Sequence, residues 1–191
     1  MSNAYIDALA TAELLRTLKR REKTETEKAA LAARLCSTPR QERPRPVLVL
    51  DTNVLMDIWV FGNPASGRIR AALCEGRAMA VRSVRTDEEL ADVLSRATFS
   101  IPQQRQREII EEWLALSHPF EPGENRCAHE PLCRDRDDQK FLHLASCAGA
   151  DMLVTRDKLV LKAARKAAKC GLLILTPESA AAKLGEAPGA A

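Results

Sequence analysis

The feature that most constrains the fold is a short apolar run that ends on an aspartate. Residues 47–50 read VLVL. A run that is apolar at every position and partly β-branched is typical of a central strand, buried on both faces of a parallel sheet. Asp51 follows this run directly. Because open α/β sheets gather their ligands beyond the carboxyl ends of their strands, Asp51 is the first candidate for a functional site.

Downstream of this run, strand-like and helix-like segments alternate along the chain. The further predicted strands cover 78–81, 152–155 and 172–175, and a short strand near Phe120 is an option within a predicted loop over 119–132. The predicted helices cover 54–60, 66–74, 103–117, 135–149, 158–169 and 177–184, and one more has Thr86 as its N-cap. This alternation predicts an α/β fold, in which helices connect the strands of a parallel sheet.

The chain divides into one main domain with appendages. Its 191 residues, of which 46% are hydrophobic, suffice for one substantial core and not for two. Helical periodicity over 1–38 predicts an N-terminal helical extension, either a solvated helix or an arm that binds a partner or oligomerises. Prolines among arginines predict a stiff linker over 39–46. The main domain is predicted over 47–185, with a frayed tail over 186–191.

Neither a membrane span nor a disulfide framework is predicted. No segment approaches the roughly 20 apolar residues of a span, and the N-terminus lacks the apolar core of a secretory signal, so we expect a cytoplasmic protein. The six cysteines follow no regular spacing, and we expect reduced thiols without disulfides. Cys127, His129 and Cys133 are zinc ligands by type, but their spacing favours an ordinary Pro-rich loop.

Four carboxylates are the candidate functional residues. Asp51 ends the first strand, Glu89 and Asp138 lie near the starts of predicted helices, and Asp157 follows the strand at 152–155. Taken singly, the last three have ordinary explanations as helix caps or as partners of a helix dipole. Taken together with Asp51, they favour one shared site, because a doubly wound sheet gathers its ligands at these places.

The type of these side chains indicates the chemistry. Several oxygen ligands, with no Lys or His near them in the pattern, suit a hard divalent cation such as Mg²⁺ or Mn²⁺. Such a cation lowers the pKa of water and stabilises charge on a phosphoryl oxygen, so phosphodiester hydrolysis is the predicted reaction. The sequence has no Walker-type glycine loop, which argues against nucleotide hydrolysis by an enzyme of that class. It has no nucleophile elbow either, which argues against acyl transfer.

A group of cations is the second candidate feature. At three- and four-residue steps along the helix predicted over 158–169 stand Lys158, Lys162, Arg165 and Lys169. On one helix these side chains would share a face and, together with Arg156, would form a surface that binds a phosphate backbone. The alternative is that the charged face only contacts solvent. The formal net charge of only +3 means that any nucleic-acid surface depends on such clustering. The aromatic content of 4% predicts little base stacking.

These segments resemble the PIN-domain family of nucleases. The resemblance rests on four motifs in order: VLDTNVL at 49–55, ELADVLSR at 89–96, DRDDQKFL at 135–142 and GADMLVTRD at 149–157. It covers about residues 47–176, and it is closest to the bacterial subgroup described as toxins of toxin–antitoxin pairs.

The resemblance implies a three-layer α/β/α fold and Mg²⁺- or Mn²⁺-dependent ribonuclease activity on single-stranded RNA. For this chain it implies four metal ligands, namely Asp51, Glu89, Asp138 and Asp157. It makes Asp135 a candidate for a further ligand, and it implies that Asn53 orients Asp51 and that Thr155 steadies a water on the metal. An antitoxin protein is then a candidate partner, and a second copy of the chain is another.

Two positions depart from the family's pattern. The family often has Pro after the first Asp of the third motif and Gly before the last Asp, where this chain has Arg136 and Arg156. Neither change removes a carboxylate, but Arg156 would lie beside the site, where it would repel a metal or bind phosphate. The alternative function is a nucleic-acid-binding or adaptor module that has the same fold and does not cleave.

Overall fold

A parallel five-stranded sheet is the centre of the structure, a computed structural model that describes residues 30–31, 33–35, 38–123, 127 and 130–185. Its strands are β1 (Val47–Leu50), β2 (Met79–Arg82), β3 (Ser117–Pro119), β4 (Met152–Val154) and β5 (Leu173–Leu175). They lie in the order β3-β2-β1-β4-β5, and every neighbouring pair is parallel. Most of the predicted N-terminal extension, and the tail at 186–191, lie outside the described residues.

Helices connect the strands. They are α1 (Thr52–Trp59), α2 (Pro64–Cys74), α3 (Val84–Ser95), α4 (Gln103–Leu116), α5 (Gln139–Cys147), α6 (Lys158–Leu161), α7 (Ala164–Ala168) and α8 (Pro177–Gly185). Short 3₁₀ turns occupy Arg40–Glu42 and Ala97–Phe99. In the part of the chain that the structure describes, no helix is both long and apolar enough to cross a membrane.

Both faces of the sheet are covered. Successive side chains of a strand point to opposite faces, so Leu48 and Leu50 join one buried cluster while Val47 and Val49 join the other. The first cluster packs against α1 to α4 and α8, and the second packs against α5 to α7. A strand with helices on both faces needs an uninterrupted apolar sequence. The predicted three-layer α/β/α fold with a central parallel sheet is therefore confirmed.

Two predicted helix starts are wrong. The N-cap of α3 is Ser83, not Thr86, because Ser83 Oγ accepts a bond from the Thr86 N–H at 3.4 Å and the Ser83 N–H donates to Thr86 Oγ1 at 3.0 Å. Glu89 therefore lies within α3 and takes no part in a capping box. The helix predicted from 135 begins at Gln139, since residues 134–138 form bends and a turn.

The predicted single helix over 158–169 is also wrong. The helix is interrupted at Lys162 and Ala163, which separate α6 from α7. The four cations predicted along it are all exposed, but they do not share one continuous helix face: Lys158, Lys162, Arg165 and Lys169.

The segment predicted as a linker over 39–46 lies against the end of the sheet where the strands begin. Arg40 donates to the carbonyl oxygens of Gly149, at 3.1 Å, and of Cys170, at 2.7 Å. Arg43 donates to Gly149 O at 2.7 Å and to Leu35 O at 2.6 Å. Gly149 and Cys170 come directly after the C-caps of α5 and α7, so these bonds attach the segment to the ends of both helices.

The expectation that the cysteines form no disulfide is wrong. Cys127 and Cys147 are joined as a disulfide, across a sequence separation of 20 residues. Cys74 and Cys133 carry free thiols. The sequence spacing did not indicate the pair, because only the packing of the loop after β3 against α5 brings the two sulfurs together.

Candidate metal centre

The topology of the sheet brings two chain segments together at its centre. β1 and β4 are neighbours, with Leu50 opposite Val154. The chain leaves β1 towards β2 on one side and returns to β4 on the other, which makes the gap beyond their carboxyl ends a topological switch point. Asp51 and Thr155 directly follow the two strands, and the Asp51 N–H donates to Val154 O at 3.0 Å.

A cavity of about 410 Å³ opens at this point. Its lining includes all four of the predicted carboxylates, Asp51, Glu89, Asp138 and Asp157. Asp135 does not line this acid cavity, although its charge acts on Asp138. The fold thus gathers side chains that are far apart in the sequence.

Asp51 is held rigidly and is almost withdrawn from water. It is 3% exposed, and it caps α1, with Oδ1 accepting the Asn53 N–H at 3.3 Å. Its other oxygen, Oδ2, accepts the Thr155 hydroxyl at 2.6 Å. Burial raises the pKa of Asp51 to about 6, because these hydrogen bonds offset only part of the cost of desolvating the charge.

Thr155 and Asn53 support the carboxylates from beneath the cavity. Thr155 is fully buried, and its Oγ1 also accepts the Asp157 N–H at 2.9 Å. One hydroxyl therefore links the first acid to the last. That Thr155 also steadies a water on the metal stays a prediction. Asn53 contacts Asp51 through its backbone N–H, while its side-chain oxygen accepts the Arg156 N–H at 3.1 Å.

Asp157 makes the hydrogen bonds of a helix N-cap, whereas Asp138 does not. Asp157 caps α6, since its Oδ1 accepts the N–H groups of Leu159, at 2.6 Å, and Val160, at 3.2 Å. Its Oδ2 accepts no hydrogen bond from the described residues. Asp138 occupies the N-cap position of α5 without making a capping bond. Burial, followed by repulsion from Asp51 and Asp157, raises the pKa of Asp138 to about 6.

Glu89 has a cationic partner that the sequence did not indicate. Its carboxylate forms an ion pair with Lys140, which lies in the first turn of α5. The expectation that no Lys lies near the acids is therefore wrong. The packing of α3 against α5 brings the two side chains together.

Arg156 lines the acid cavity, but its guanidinium is already occupied. It forms ion pairs with Asp57 and with Glu178, the latter at 2.9 Å from Oε1. Hydrogen bonding to Asp57 raises the pKa of Arg156 further. Two carboxylates largely neutralise this cation. That Arg156 repels a metal or binds phosphate stays a prediction.

Several residues that line the acid cavity were missed in the sequence, and three of them bear on its chemistry. The hydroxyl of Thr52 is buried and has no hydrogen-bond partner among the described residues. Phe61 is 58% exposed at the rim, and its ring contacts that of Phe99 edge to face, with centroids 6.0 Å apart. The position of Thr52 next to Asp51 was a usable signal. Nothing in the sequence marked the two aromatic residues, because distant turns bring them together.

The donor set fits a hard divalent cation. Carboxylate and hydroxyl oxygens are the ligands that Mg²⁺ and Mn²⁺ prefer. The raised pKa values of Asp51 and Asp138 indicate acids that nearby protein cations do not balance, and a bound cation would relieve this cost. Over the described ranges, no three of these carboxylates come within 4.8 Å of one another. A cation here would therefore keep several waters, as Mg²⁺ usually does.

Comparison with known proteins agrees with this geometry. The family model of the PIN domain matches residues 47–159, more than half of the chain. Among curated proteins, no match to the chain is found. The chain belongs to the PIN-domain family, whose members are typically nucleases that depend on Mg²⁺ or Mn²⁺.

Proposed function

We propose that the protein is a metal-dependent ribonuclease that hydrolyses phosphodiester bonds of single-stranded RNA. The observation that carries this proposal is the convergence of four carboxylates on one cavity at the switch point of the sheet. Membership of the PIN-domain family supports nuclease chemistry. The surroundings of the acid cavity support a single-stranded substrate.

The protein's own residues would hold and orient the reacting groups. A bound Mg²⁺ or Mn²⁺ supplies positive charge at the scissile phosphate and lowers the pKa of an attacking water. Asp51, Asp138 and Asp157 are the proposed ligands, directly or through water. Thr155 fixes Asp51 and Asp157 relative to each other, so little reorganisation is needed when a cation and a phosphate arrive.

The fourth carboxylate, Glu89, already has a cationic partner in the protein. Glu89 shares its charge with Lys140, and we assign it a role at the edge of the metal site, where its ion pair would have to open before it becomes a ligand. Asp135, which does not line the acid cavity, would act through its charge on Asp138.

An aromatic pair at the rim supports a single-stranded substrate. Phe61 is exposed and is braced by Phe99. An unpaired base can stack on such a ring, whereas the bases of a duplex are stacked on each other. A low overall aromatic content does not prevent this, because one ring at the edge of the site is enough.

A second cavity supports a path for the phosphate backbone. This cavity, of about 360 Å³, is lined by the cations Arg85, Arg136 and Lys140 and by the carboxylates Glu121 and Glu130, among others. Lys140 joins it to the acid cavity through Glu89. Both arginines are exposed, and neither forms an ion pair with another described residue. Their charges would attract phosphates of a strand that leaves the acid cavity.

The cations of α6 and α7 are the second proposed contact surface for RNA. Lys158 follows Asp157 directly, at the start of α6, and is exposed. Lys162 lies at the break between the two helices, and Arg165 and Lys169 lie beyond it. We expect them to contribute charge attraction rather than specific contacts.

The first test is cleavage of a mixed-sequence single-stranded RNA by the purified protein, in Mn²⁺ and in EDTA. Wild-type protein should cleave only with Mn²⁺, and Asp51→Asn should not cleave, because it lacks the best-held carboxylate. Cleavage that persists in EDTA, or that is equal for Asp51→Asn, would show that the acid cavity is not the source of activity.

A second test addresses base stacking. Phe61→Ala should weaken binding of single-stranded RNA by about 5- to 150-fold, which corresponds to ~1–3 kcal/mol for a lost stack. The matched control is Leu132→Ala, because Leu132 is also 58% exposed but lines neither of the two cavities. Binding is measured by fluorescence anisotropy in EDTA, so cleavage does not interfere. Equal weakening by both variants would contradict a stacking role.

A non-cleaving nucleic-acid adaptor is the second candidate function. It is favoured by Lys140, whose ion pair occupies Glu89, one of the four carboxylates of the acid cavity. An adaptor of this kind need not bind metal. The two functions are distinguished by thermal unfolding with and without Mn²⁺, because a ligand that binds only the native state raises the melting temperature.

The toxin role is a narrower proposal, which rests on the resemblance to the bacterial toxin subgroup. Its expected partner is an antitoxin protein that covers the acid cavity. Induced expression in bacteria should stop growth with the wild-type chain and not with Asp51→Asn. Equal growth of both strains, at equal protein levels, would argue against it. A cytoplasmic location and self-association stay predictions from the sequence.

A further inference from the structure

A second group of metal-ligating side chains lies outside the acid cavity. Cys127, His143 and Cys147 each offer one ligand atom, and these atoms all lie within 4.8 Å of one another, the only such group among the described residues. Cys127 belongs to the loop between β3 and α5, whereas His143 and Cys147 lie one turn apart on α5. Residues four apart on a helix share a face.

Glu130 lies beside this group and contacts it through His143, although its oxygens are not within 4.8 Å of all three ligand atoms. Its side chain is only 1% exposed, and its Oε2 lies 2.7 Å from His143 Nδ1. The same oxygen accepts the Cys127 N–H at 3.3 Å, and Oε1 accepts Gln139 Nε2 at 2.6 Å. His143 is one partner of this carboxylate, and it is charged only when it is protonated.

We propose that, when Cys127 and Cys147 are reduced, these two thiolates bind a structural Zn²⁺ together with His143 and Glu130. Two sulfurs, one imidazole nitrogen and one carboxylate oxygen make a tetrahedral set that suits Zn²⁺. The second ring nitrogen, His143 Nε2, lies 2.8 Å from Gly123 O. A proton on Nε2, donated to this carbonyl, leaves Nδ1 free to ligate, which is the usual arrangement for a zinc-binding histidine.

The structure shows the oxidised form of the same site, in which the two sulfurs form a disulfide. A dithiol reductant supplies two electrons and two protons to this bond and becomes a disulfide itself, leaving two thiols on the protein. Binding of Zn²⁺ then displaces the two thiol protons, because the ligands are thiolates. Glu130 exchanges its contact with His143 Nδ1 for one with the metal.

The site would fasten a long loop. Residues 120–138 connect β3 to α5 without a helix or strand among those described, and they end at Asp138, a proposed ligand in the acid cavity. Structureless loops of this length are uncommon in compact domains unless they are functional. A metal or a disulfide between Cys127 and α5 ties the loop to the same helix, so Cys127 would stay attached to α5 in both redox states.

The ligands differ from the zinc candidates of the sequence. Cys133 is free and lies outside the group, with its backbone N–H donating to Gln139 Oε1 at 2.8 Å. His129 lies outside the described residues. His143 and Cys147 are four residues apart on one predicted helix, and this spacing could have indicated two ligands of a metal site. Their connection with Cys127 was not made from the sequence.

The test uses Co²⁺ as a spectroscopic probe on full-length protein that has been reduced and freed of metal. Thiolate-to-cobalt charge-transfer absorption should saturate at one equivalent and disappear when Zn²⁺ is added. Cys147→Ser should abolish this absorption, and the matched control Cys133→Ser should keep it. No charge-transfer band in the reduced wild type, or an unchanged band in Cys147→Ser, would overturn the proposal. The oxygen ligands of the acid cavity give no such band.

A second measurement does not depend on whether the variants fold. One equivalent of Zn²⁺ should protect two of the six cysteines of the reduced wild-type protein from a thiol reagent, and peptide mapping should identify them as Cys127 and Cys147. Protection of neither, or of a different pair, would overturn the proposal. Both measurements are independent of RNA cleavage, so a failure of the proposed ribonuclease function would not be mistaken for a failure here.

Discussion

Replacing Asp51 with asparagine should make the metal-free protein more stable at neutral pH. The side chain is almost fully buried, and burial raises its pKa from 3.8 to about 6. The native state therefore binds this proton more tightly than the unfolded state does. The resulting contribution to stability is fully present below the unfolded pKa of 3.8 and is lost as the pH rises through about 6.

The size of the effect follows from the same values. A rise from 3.8 to about 6 corresponds to about 3 kcal/mol of cost for the ionised carboxylate, at about 1.4 kcal/mol for each factor of ten. Asparagine removes the charge, but it weakens the bond that the Thr155 hydroxyl donates to Oδ2, and such a loss costs ~1 kcal/mol. We expect a net gain of about 1–2 kcal/mol, or a rise of about 2–8 °C in melting temperature.

Thermal unfolding of both proteins in EDTA, at neutral pH and near pH 4, measures this effect. The variant should melt higher at neutral pH, and the difference should shrink near pH 4, where the native wild-type carboxyl is protonated. Added Mn²⁺ should reverse the order, because only the wild type gains stability from binding. A variant that is less stable at neutral pH in EDTA, or a difference that does not change with pH, would refute burial as the cause.

Three further predictions concern charges and a helix cap. Lys140→Met should tighten Mn²⁺ binding by up to about fivefold in a metal titration. The variant removes the cation that competes with the metal for Glu89, and this ion pair is worth ~1 kcal/mol. Unchanged or weaker binding would contradict this. Arg82→Met should lower the free energy of unfolding, measured in urea, by about 3–5 kcal/mol, because Asp87 stays buried without its cationic partner. Adding Asp87→Leu to the same chain should restore most of the lost stability. Asn63→Ala should cost about 1 kcal/mol in the same measurement, because the Asn63 side chain caps α2 with bonds of 3.0 and 3.2 Å, and no loss would show that the cap is dispensable.

The sheet was predictable because its central strand carries a strong pattern. Residues 47–50 are buried on both faces, and only an apolar sequence allows this. The start of α3 was not predictable in the same way, since Ser83 and Thr86 are both good N-cap residues. The choice is made by the reciprocal bonds between these two residues, which depend on the direction in which the chain leaves β2.

The acids of the acid cavity were easier to find than the cations around it. The positions of Asp51 and Asp157 follow from the strands that precede them, which the sequence indicates. The partners of Arg156 and Glu89 follow instead from how separate helices pack. Glu178, on α8, reaches Arg156 from outside every motif, and Lys140 reaches Glu89 only because α5 packs beside α3.

The bond between Thr155 and Asp51 joins residues 104 positions apart, and this has a consequence for synthesis of the chain. Asp51 and Glu89 are made early, Asp157 is made late, and β5, which pairs with β4, follows later still. A ribosome consists largely of RNA, and a partly made chain stays next to it. The order of the strands therefore delays assembly of the acid cavity until the chain has been made through Asp157 and β5.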